Sequence, residues 1–496
     1  MLSFEEFRAL TANHKVVPLV RSLFSGSETP VALFEKLCGE RSGTFLLESA
    51  DQGVWSRYSF IGVNSKATLS KSADAKVFLT DHKSGTAQEL GESALEELAQ
   101  LIEDWNTPAL PDLPPLTSGL VGMLGWDVIR EIEALPNKPQ VGYHAPEMWF
   151  SLFEDLVIVD HKTSELIFVT NIFVDGSDLE LLYADAVKRL DALVQAASGQ
   201  SSPFMAAQTE GASETPRATH TLASFSANVA DAIEYIRCGD VFQVVLSQRL
   251  DVDVSASPLD VYRALRALNP SPYMYLLNQE DDSGAYAIVG SSPEALVTVA
   301  NGSAVMHPIA GSRPRGESTE TDIEYERSLL DDAKEKAEHL MLVDLARNDL
   351  LKVCDPTSIA VTEFMNVHRF SHIMHLVSTV EGRLLPQSTT VDAFRATFPA
   401  GTLSGAPKPR ALEIIDELEP ESRGIFGGVV GYFDFAGNAD LAIAIRTAFL
   451  RDGVARVQAG AGIVLDSRAE AEYQETIAKA SAPLKAVTLA EGLKRL

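Results

Sequence analysis

Two glutamates three residues apart, Glu472 and Glu475, open a predicted helix directly after the glycine-rich strand V-Q-A-G-A-G-I-V at 457–464. Residues at this spacing share a helical face. Gly460 and Gly462 lack a Cβ, so a ligand can approach their backbone N–H groups closely. Backbone donors beside paired acids suit an anion held next to a cation. A second pair, Glu335 and Glu338, repeats the spacing in K-E-K-A-E-H-L-M at 334–341, with Ala333, Ala337, Leu340 and Met341 as an apolar stripe beside it. If both pairs face one cleft, each close carboxylate pair costs roughly 3 kcal/mol at ~5 Å and an effective dielectric of ~20. A hard divalent cation removes that cost, and Mg²⁺ suits few carboxylates, several waters and a substrate oxygen. The same spacing fits two solvated acidic helix starts, which the helix dipole also favours. Spacing alone leaves the choice open.

Elements must bring these residues together. A short helix and the strand K-V-V-P-L-V occupy 1–20, and a helix with an early Pro follows at 28–38. T-F-L-L-E-S (44–49) and W-S-R-Y-S-F-I-G-V (55–63) read as antiparallel strands. An amphipathic helix is predicted at 92–106, strands at 156–160 and 166–170, and a helix at 179–197. G-L-V-G-M-L-G-W-D (119–127) lacks the Lys and Ser/Thr of a phosphate loop and reads as a close-packed strand. Small polar residues and Pro over 198–220 mark a linker. A helix to Cys238, a strand at 241–250, a helix near 258–268, strands near 273–278, 285–290 and 295–299, and a long helical region at 322–350 follow. Strands outnumber helices and adjoin in sequence, which predicts α+β with large antiparallel sheets. The expected organisation is an N-terminal region (1–197), a linker (198–223) and a catalytic region (224–490).

At 496 residues the chain is long enough for two to four domains. A net charge of −28 argues against nucleic acid or an anionic membrane as partner, though a local Arg or metal still permits an anionic substrate. Cys38, Cys238 and Cys354 are few and scattered, which suggests a reducing cytoplasm. M-L-S-F-E-E-F-R carries acids where a signal peptide needs bases. No apolar run reaches the ~18 residues of a membrane span.

Seven segments appear in order: P-I-A-G-S-R-P-R-G (308–316), H-L-M-L-V-D-L-A-R-N-D-L (339–350), H-L-V-S-T-V-E-G (375–382), F-P-A-G-T-L-S-G-A-P-K (398–408), G-G-V-V-G-Y-F (427–433), A-I-R-T-A (444–448) and Q-A-G-A-G-I-V (458–464). Together they resemble the chorismate-utilising enzymes, and among them the anthranilate synthase component I family. The resemblance covers nearly all of 224–490 and reaches L-L-E-S at 46–49. It implies antiparallel sheets packed as a sandwich with helices outside, and chorismate as substrate. By motif position, Glu338 and Glu475 would be direct Mg²⁺ ligands, with Glu335 and Glu472 holding its waters. Arg446 would meet the pyruvyl carboxylate, where a planar guanidinium binds bidentately. Gly460, Ala461 and Gly462 would offer backbone N–H groups to a carboxylate, and Gly311 and Ser312 would line the cleft. Relatives often carry Thr at 312, and commonly Tyr where this chain has Phe426, so that phenol's hydrogen bond is lost.

The resemblance makes Glu294, in S-S-P-E, the general acid that protonates the departing C4 hydroxyl, a task that calls for a pKa raised by burial. His375 and Thr402 match positions near the ring. Two positions separate the branches. Water-adding enzymes carry Lys where this chain has Gln243, and an amide cannot deprotonate water well but can position ammonia. Aminodeoxychorismate enzymes carry Lys at Ala310, which can attack the ring; Ala cannot. Both point to amination at C2 and then pyruvate loss to give anthranilate. No nucleophilic Cys elbow is present, so the resemblance implies a separate glutamine amidotransferase subunit, in a heterotetramer, as the ammonia source. Ser49, Pro272, Tyr273 and Met274 match the family's tryptophan feedback site. The alternatives are an aminodeoxychorismate or isochorismate-type enzyme of the same fold, and a non-catalytic tryptophan-binding regulator.

Overall fold

A computed structural model describes the chain except residues 50–56, 72–75, 109, 111–112, 201–203, 210–214, 370–372 and 496. Part of the predicted linker, and the start of the predicted strand at 55–63, lie outside the described residues.

Every ladder between the named strands is antiparallel. Alternation along the strands produces a sandwich. One set of inward side chains, including Phe45, Phe153, Leu277, Ile288, Val430 and Phe449, forms a core drawn mainly from strands. The outer faces are covered by helices. Ala94–Asp104, Leu222–Cys238, Ala333–Leu350 and Lys408–Leu418 contribute to one core, and Pro30–Leu37, Leu179–Ala197, Pro258–Leu268 and Ala469–Glu491 to another. This is the α+β sandwich with helices outside that the sequence suggests.

The regions before and after residue 200 share one hydrogen-bonded sheet system. Thr44–Glu48 pairs with Tyr273–Asp281, and Gly119–Leu124 with Val429–Asp434. Tyr273–Asp281 then pairs with Gly284–Ser292, which pairs with Thr447–Arg451. Gln243–Asp253 lies along Val454–Ile463, with Ser247 opposite Gly460.

The predicted helical region at 322–350 is two helices, Thr319–Asp331 and Ala333–Leu350. Asp332 separates them. Its extended backbone ends the first, and its carboxylate accepts from the N–H groups of Lys334 and Glu335 to cap the second. The stripe predicted through Leu340 is not the buried one. His339, Val343, Ala346 and Leu350 are buried, whereas Leu340 is half exposed. The phase is set by the surfaces the helix spans. Leu342 and Leu345 line a cavity with Asp349, and Glu335 and Glu338 continue that row toward the N-terminus.

Candidate active site

A cavity of about 280 Å³ opens where the ends of these strands converge. Glu294, Gly311, Ser312, His375, Thr402, Phe426, Arg446 and Gly460 all line it, with Ala310 and Pro272. Residues spread over 188 positions of sequence, from Pro272 to Gly460, thus meet around one space.

Glu294 stands at the end of strand Gly284–Ser292, in the turn before Ala295–Ala300. Its carbonyl accepts from Ile443 N–H at 3.0 Å, which fixes the turn. Burial pushes its carboxyl up to about 7, opposed by the Thr402 hydroxyl, which donates to Oε1 at 3.1 Å, and by Lys479 and Arg446. A carboxyl so placed keeps a proton near neutral pH and can give it away.

Arg446 lies between strands Ala439–Ile443 and Thr447–Arg451 at φ 49°, a left-handed conformation uncommon for a side chain of this size. Ser291 N–H holds its carbonyl at 3.2 Å. The guanidinium faces the cavity, and burial lowers its pKa, with Glu294 opposing. Among the described residues no carboxylate forms an ion pair with it. A buried guanidinium without a carboxylate suits an anionic ligand.

The glycine strand supplies the opposite wall. Ala448–Arg451 pairs with Val454–Val457, and among the described residues the strand's second edge has no strand partner from Gln458 onward. Gly460 carbonyl accepts from Lys479 Nζ at 3.1 Å. Ala461 is fully buried opposite Leu246. Gly462 faces Gln243: a Cβ there would come 2.6 Å from Gln243 Nε2. Gln243, Ala461 and Gly462 therefore adjoin the cavity without lining it.

Gly311 has φ +66°, and a Cβ there would meet Glu335 Oε2 at 3.1 Å. Glu335 is thereby set behind the cavity wall. Glu338 is pushed up by burial first, then by Glu335 and Glu475; Lys334 and Lys479 oppose this. Burial raises Glu472 as well, Ser467 lowers it, and Glu475 raises it further. The two acidic helix starts thus feel each other's charge across the space between them. Lys479 Nζ meets Glu475 Oε1 at 2.7 Å and partly offsets that charge. Among the described residues, no three His, Cys, Asp or Glu side chains gather tightly enough to enclose a metal. Glu338 and Glu475 are solvent-accessible and Glu335 and Glu472 less so, and carboxylates that repel one another in this way are groups whose charge a divalent cation would offset.

His375 Nδ1 is 3.0 Å from the Gly311 carbonyl. A carbonyl only accepts, so Nδ1 carries the proton. Burial lowers the imidazole's pKa, the Gly311 carbonyl opposes that, and Arg446 adds to it.

The second predicted group also assembles. Met274 pairs with Glu48, so Ser49 lies one step beyond the ladder, opposite Tyr273. Ser49 Oγ is buried and has no hydrogen-bond partner among the described residues. Tyr273 donates to Asp440 Oδ1 at 3.0 Å. Met274 is buried opposite Ser291, whose N–H holds Arg446. Pro272 belongs to the cavity wall, so the two groups adjoin.

Sequence reasoning missed Lys479, which lines the cavity and pairs with Glu475. Its position four residues after Glu475 was the available signal. It also missed Gln458, whose Nε2 donates to Ser247 Oγ while its buried Oε1 has no hydrogen-bond partner among the described residues.

The family model described as chorismate binding enzyme matches residues 42–485. The chain is 48% identical to anthranilate synthase component 1 of Mycolicibacterium smegmatis over 500 residues, covering 99% of this chain and 94% of that one. It is 42% identical to the Acetivibrio thermocellus protein of the same name, covering 98% of each. Among solved structures it resembles anthranilate synthase component I from Streptococcus pneumoniae, with TM-score 0.75 and 37% identity over 87% of this chain and 93% of that one. The menaquinone-specific isochorismate synthase MenF of Escherichia coli shares the fold, with TM-score 0.68 and 18% identity over 98% of each chain.

Proposed function

The chain belongs to the chorismate binding enzyme family and is an enzyme acting on chorismate, and from that premise we propose that it aminates the chorismate ring at C2 and eliminates pyruvate to give anthranilate. The observation that carries this reading is one cavity that brings the buried Glu294, its carboxyl pushed up to about 7, and Arg446, without an ion-pair partner among the described residues, to the glycine strand. Arg446 holds the pyruvyl carboxylate, and the edge of Gly460–Gly462 receives a carboxylate through backbone N–H groups. Glu294 hands its proton to the departing C4 hydroxyl, with Thr402 fixing the carboxyl. Gln243, against Gly462, orients ammonia; being neutral, it favours a nucleophile that needs no base. Ala310 leaves the ring unattacked from the wall. His375 and Phe426 bound the ring.

Glu338 and Glu475 would hold Mg²⁺ directly, with Glu335 and Glu472 through waters. When bound, the ion offsets the ring carboxylate's charge and draws electrons from the ring.

The relatives' designation as component 1 supports a partner subunit, which we take to be a glutamine amidotransferase supplying ammonia, in a heterotetramer. Ser49, Pro272, Tyr273 and Met274 would take tryptophan. Movement of Met274 reaches Arg446 through Ser291, a short path for inhibition. A cytoplasmic location accords with three free cysteines. Among the described residues no helix is long and apolar enough to cross a membrane.

The test is incubation of the purified chain with chorismate, Mg²⁺ and ammonium at alkaline pH, with fluorescence and chromatographic detection. Anthranilate and pyruvate are the expected products. Isochorismate or aminodeoxychorismate would instead support the sister branches, and no turnover would support a regulator.

A further inference from the structure

Glu294 has a second space behind it. A smaller cavity of about 40 Å³ shares Glu294 and Thr402 with the main one and continues to His307 and Asp349. It has room for roughly two or three water molecules. Asp349 is neutralised there by Lys408 at 2.6 Å and Lys352 at 3.1 Å. His307 leads outward. Its Nδ1 lies 3.2 Å from Thr379 Oγ1, and Thr379 donates to Glu363 Oε2 at 3.1 Å. Glu363 Oε1 is 2.7 Å from Nε2 of His368, whose side chain is 38% exposed. Thr379 and Glu363 are opposite each other on paired strands, so the sheet holds the links in line.

The chemistry gives such a route a use, because the general acid must be reset within every turnover. In the amination, ammonia's lone pair forms the C2–N bond, the ring π-electrons shift, and the C4–O bond breaks. The leaving oxygen takes the Glu294 proton and departs as water, while ammonia's third proton stays on nitrogen as an ammonium group. Glu294 is left as a carboxylate and must regain a proton before the next turnover. The conversion of chorismate and ammonia to anthranilate, pyruvate and water consumes none overall, because the ammonium group releases its extra proton as the weakly basic aryl amine forms. On the substrate side it faces Arg446 and Lys479, two cations that repel an incoming proton.

We propose that Glu294 is re-protonated from behind, through water in the small cavity and the relay His307–Thr379–Glu363–His368. This rests on the amination reading above. Burial lowers the His307 imidazole's pKa, Glu363 opposing and His368 adding to the effect. A neutral imidazole accepts a proton on one nitrogen and releases one from the other. His307, Thr379 and Glu363 are positioning residues that act through Glu294.

The experiment compares His307→Leu, Thr379→Val and Thr379→Ser in the ammonia-dependent reaction. The expected result is a loss of about tenfold in kcat for His307→Leu and Thr379→Val. Both should leave KM for chorismate unchanged and make kcat rise with imidazole buffer concentration. Thr379→Ser, which keeps the hydroxyl, should behave as wild type. Full kcat without buffer dependence in Thr379→Val would overturn the relay, as would equal losses in the Ser and Val variants; these hold even if His307→Leu fails to fold. A wild-type chain that forms no anthranilate would remove the amination reading itself, before any variant is compared.

Discussion

Replacing Glu294 by Gln should stabilise the protein while disabling it, and the stability gain should depend on pH. Burial lifts this carboxyl from 4.5 to about 7. That gap corresponds to about 3 kcal/mol between its protonation states. Below pH 4.5 the folded and unfolded chains both hold the proton, so the site costs nothing. As pH rises toward 7 the unfolded chain ionises first and the fold loses stability, and above about 7 the penalty is complete. Gln carries no charge at any pH and can still accept from Thr402. Urea unfolding of both proteins from pH 4.5 to 8.5 should therefore show curves that coincide at the acid end and diverge by about 3 kcal/mol at the alkaline end. Activity should fall by about 10²- to 10⁴-fold, the range for losing a general acid. A stability difference that stays flat with pH would refute the buried-acid argument, and an active Glu294→Gln enzyme would refute its role.

Arg446→Lys keeps the charge but loses the fork, and should raise KM for chorismate by about tenfold or more in steady-state assays. An unchanged KM would detach Arg446 from the substrate. Ser49→Phe fills the space beside Tyr273 and should abolish inhibition by tryptophan while the uninhibited rate is kept; retained inhibition would take Ser49 out of the site. Gly311→Ala places a methyl at φ +66°, 3.1 Å from Glu335 Oε2. It should cost about 1–2 kcal/mol in unfolding and raise the Mg²⁺ concentration needed for half-maximal rate. Normal Mg²⁺ dependence would separate Glu335 from the metal.

Several parts of this site were legible as sequence because each is local. A pair of glutamates at helical spacing shares a face wherever the helix goes. The glycines at 460 and 462 declare a close approach whatever approaches them. The strand at 44–49 and the segment 269–274 each carry a readable pattern, but their pairing spans more than two hundred residues and no local signal specifies it. The helix Ala333–Leu350 shows the opposite failure. Its apolar residues were visible, yet the buried stripe runs through His339 and Val343, because the neighbouring row lines a cavity. The Asp332 break was obscured by good helix formers on both sides. His307 was unreadable: its neighbours Thr379 and Glu363 lie on other strands, and only the sheet aligns them.

The central claim is that the acidic starts of Ala333–Leu350 and Ala469–Glu491 together hold one divalent cation at the substrate cavity. Mn²⁺ titration followed by the electron paramagnetic resonance of the free ion, with chorismate present and ammonia withheld, tests it most directly. The account predicts one saturable site per chain in the wild type, lost in both Glu338→Gln and Glu475→Gln while their far-ultraviolet spectra stay unchanged. Undiminished Mn²⁺ binding in both variants would contradict it.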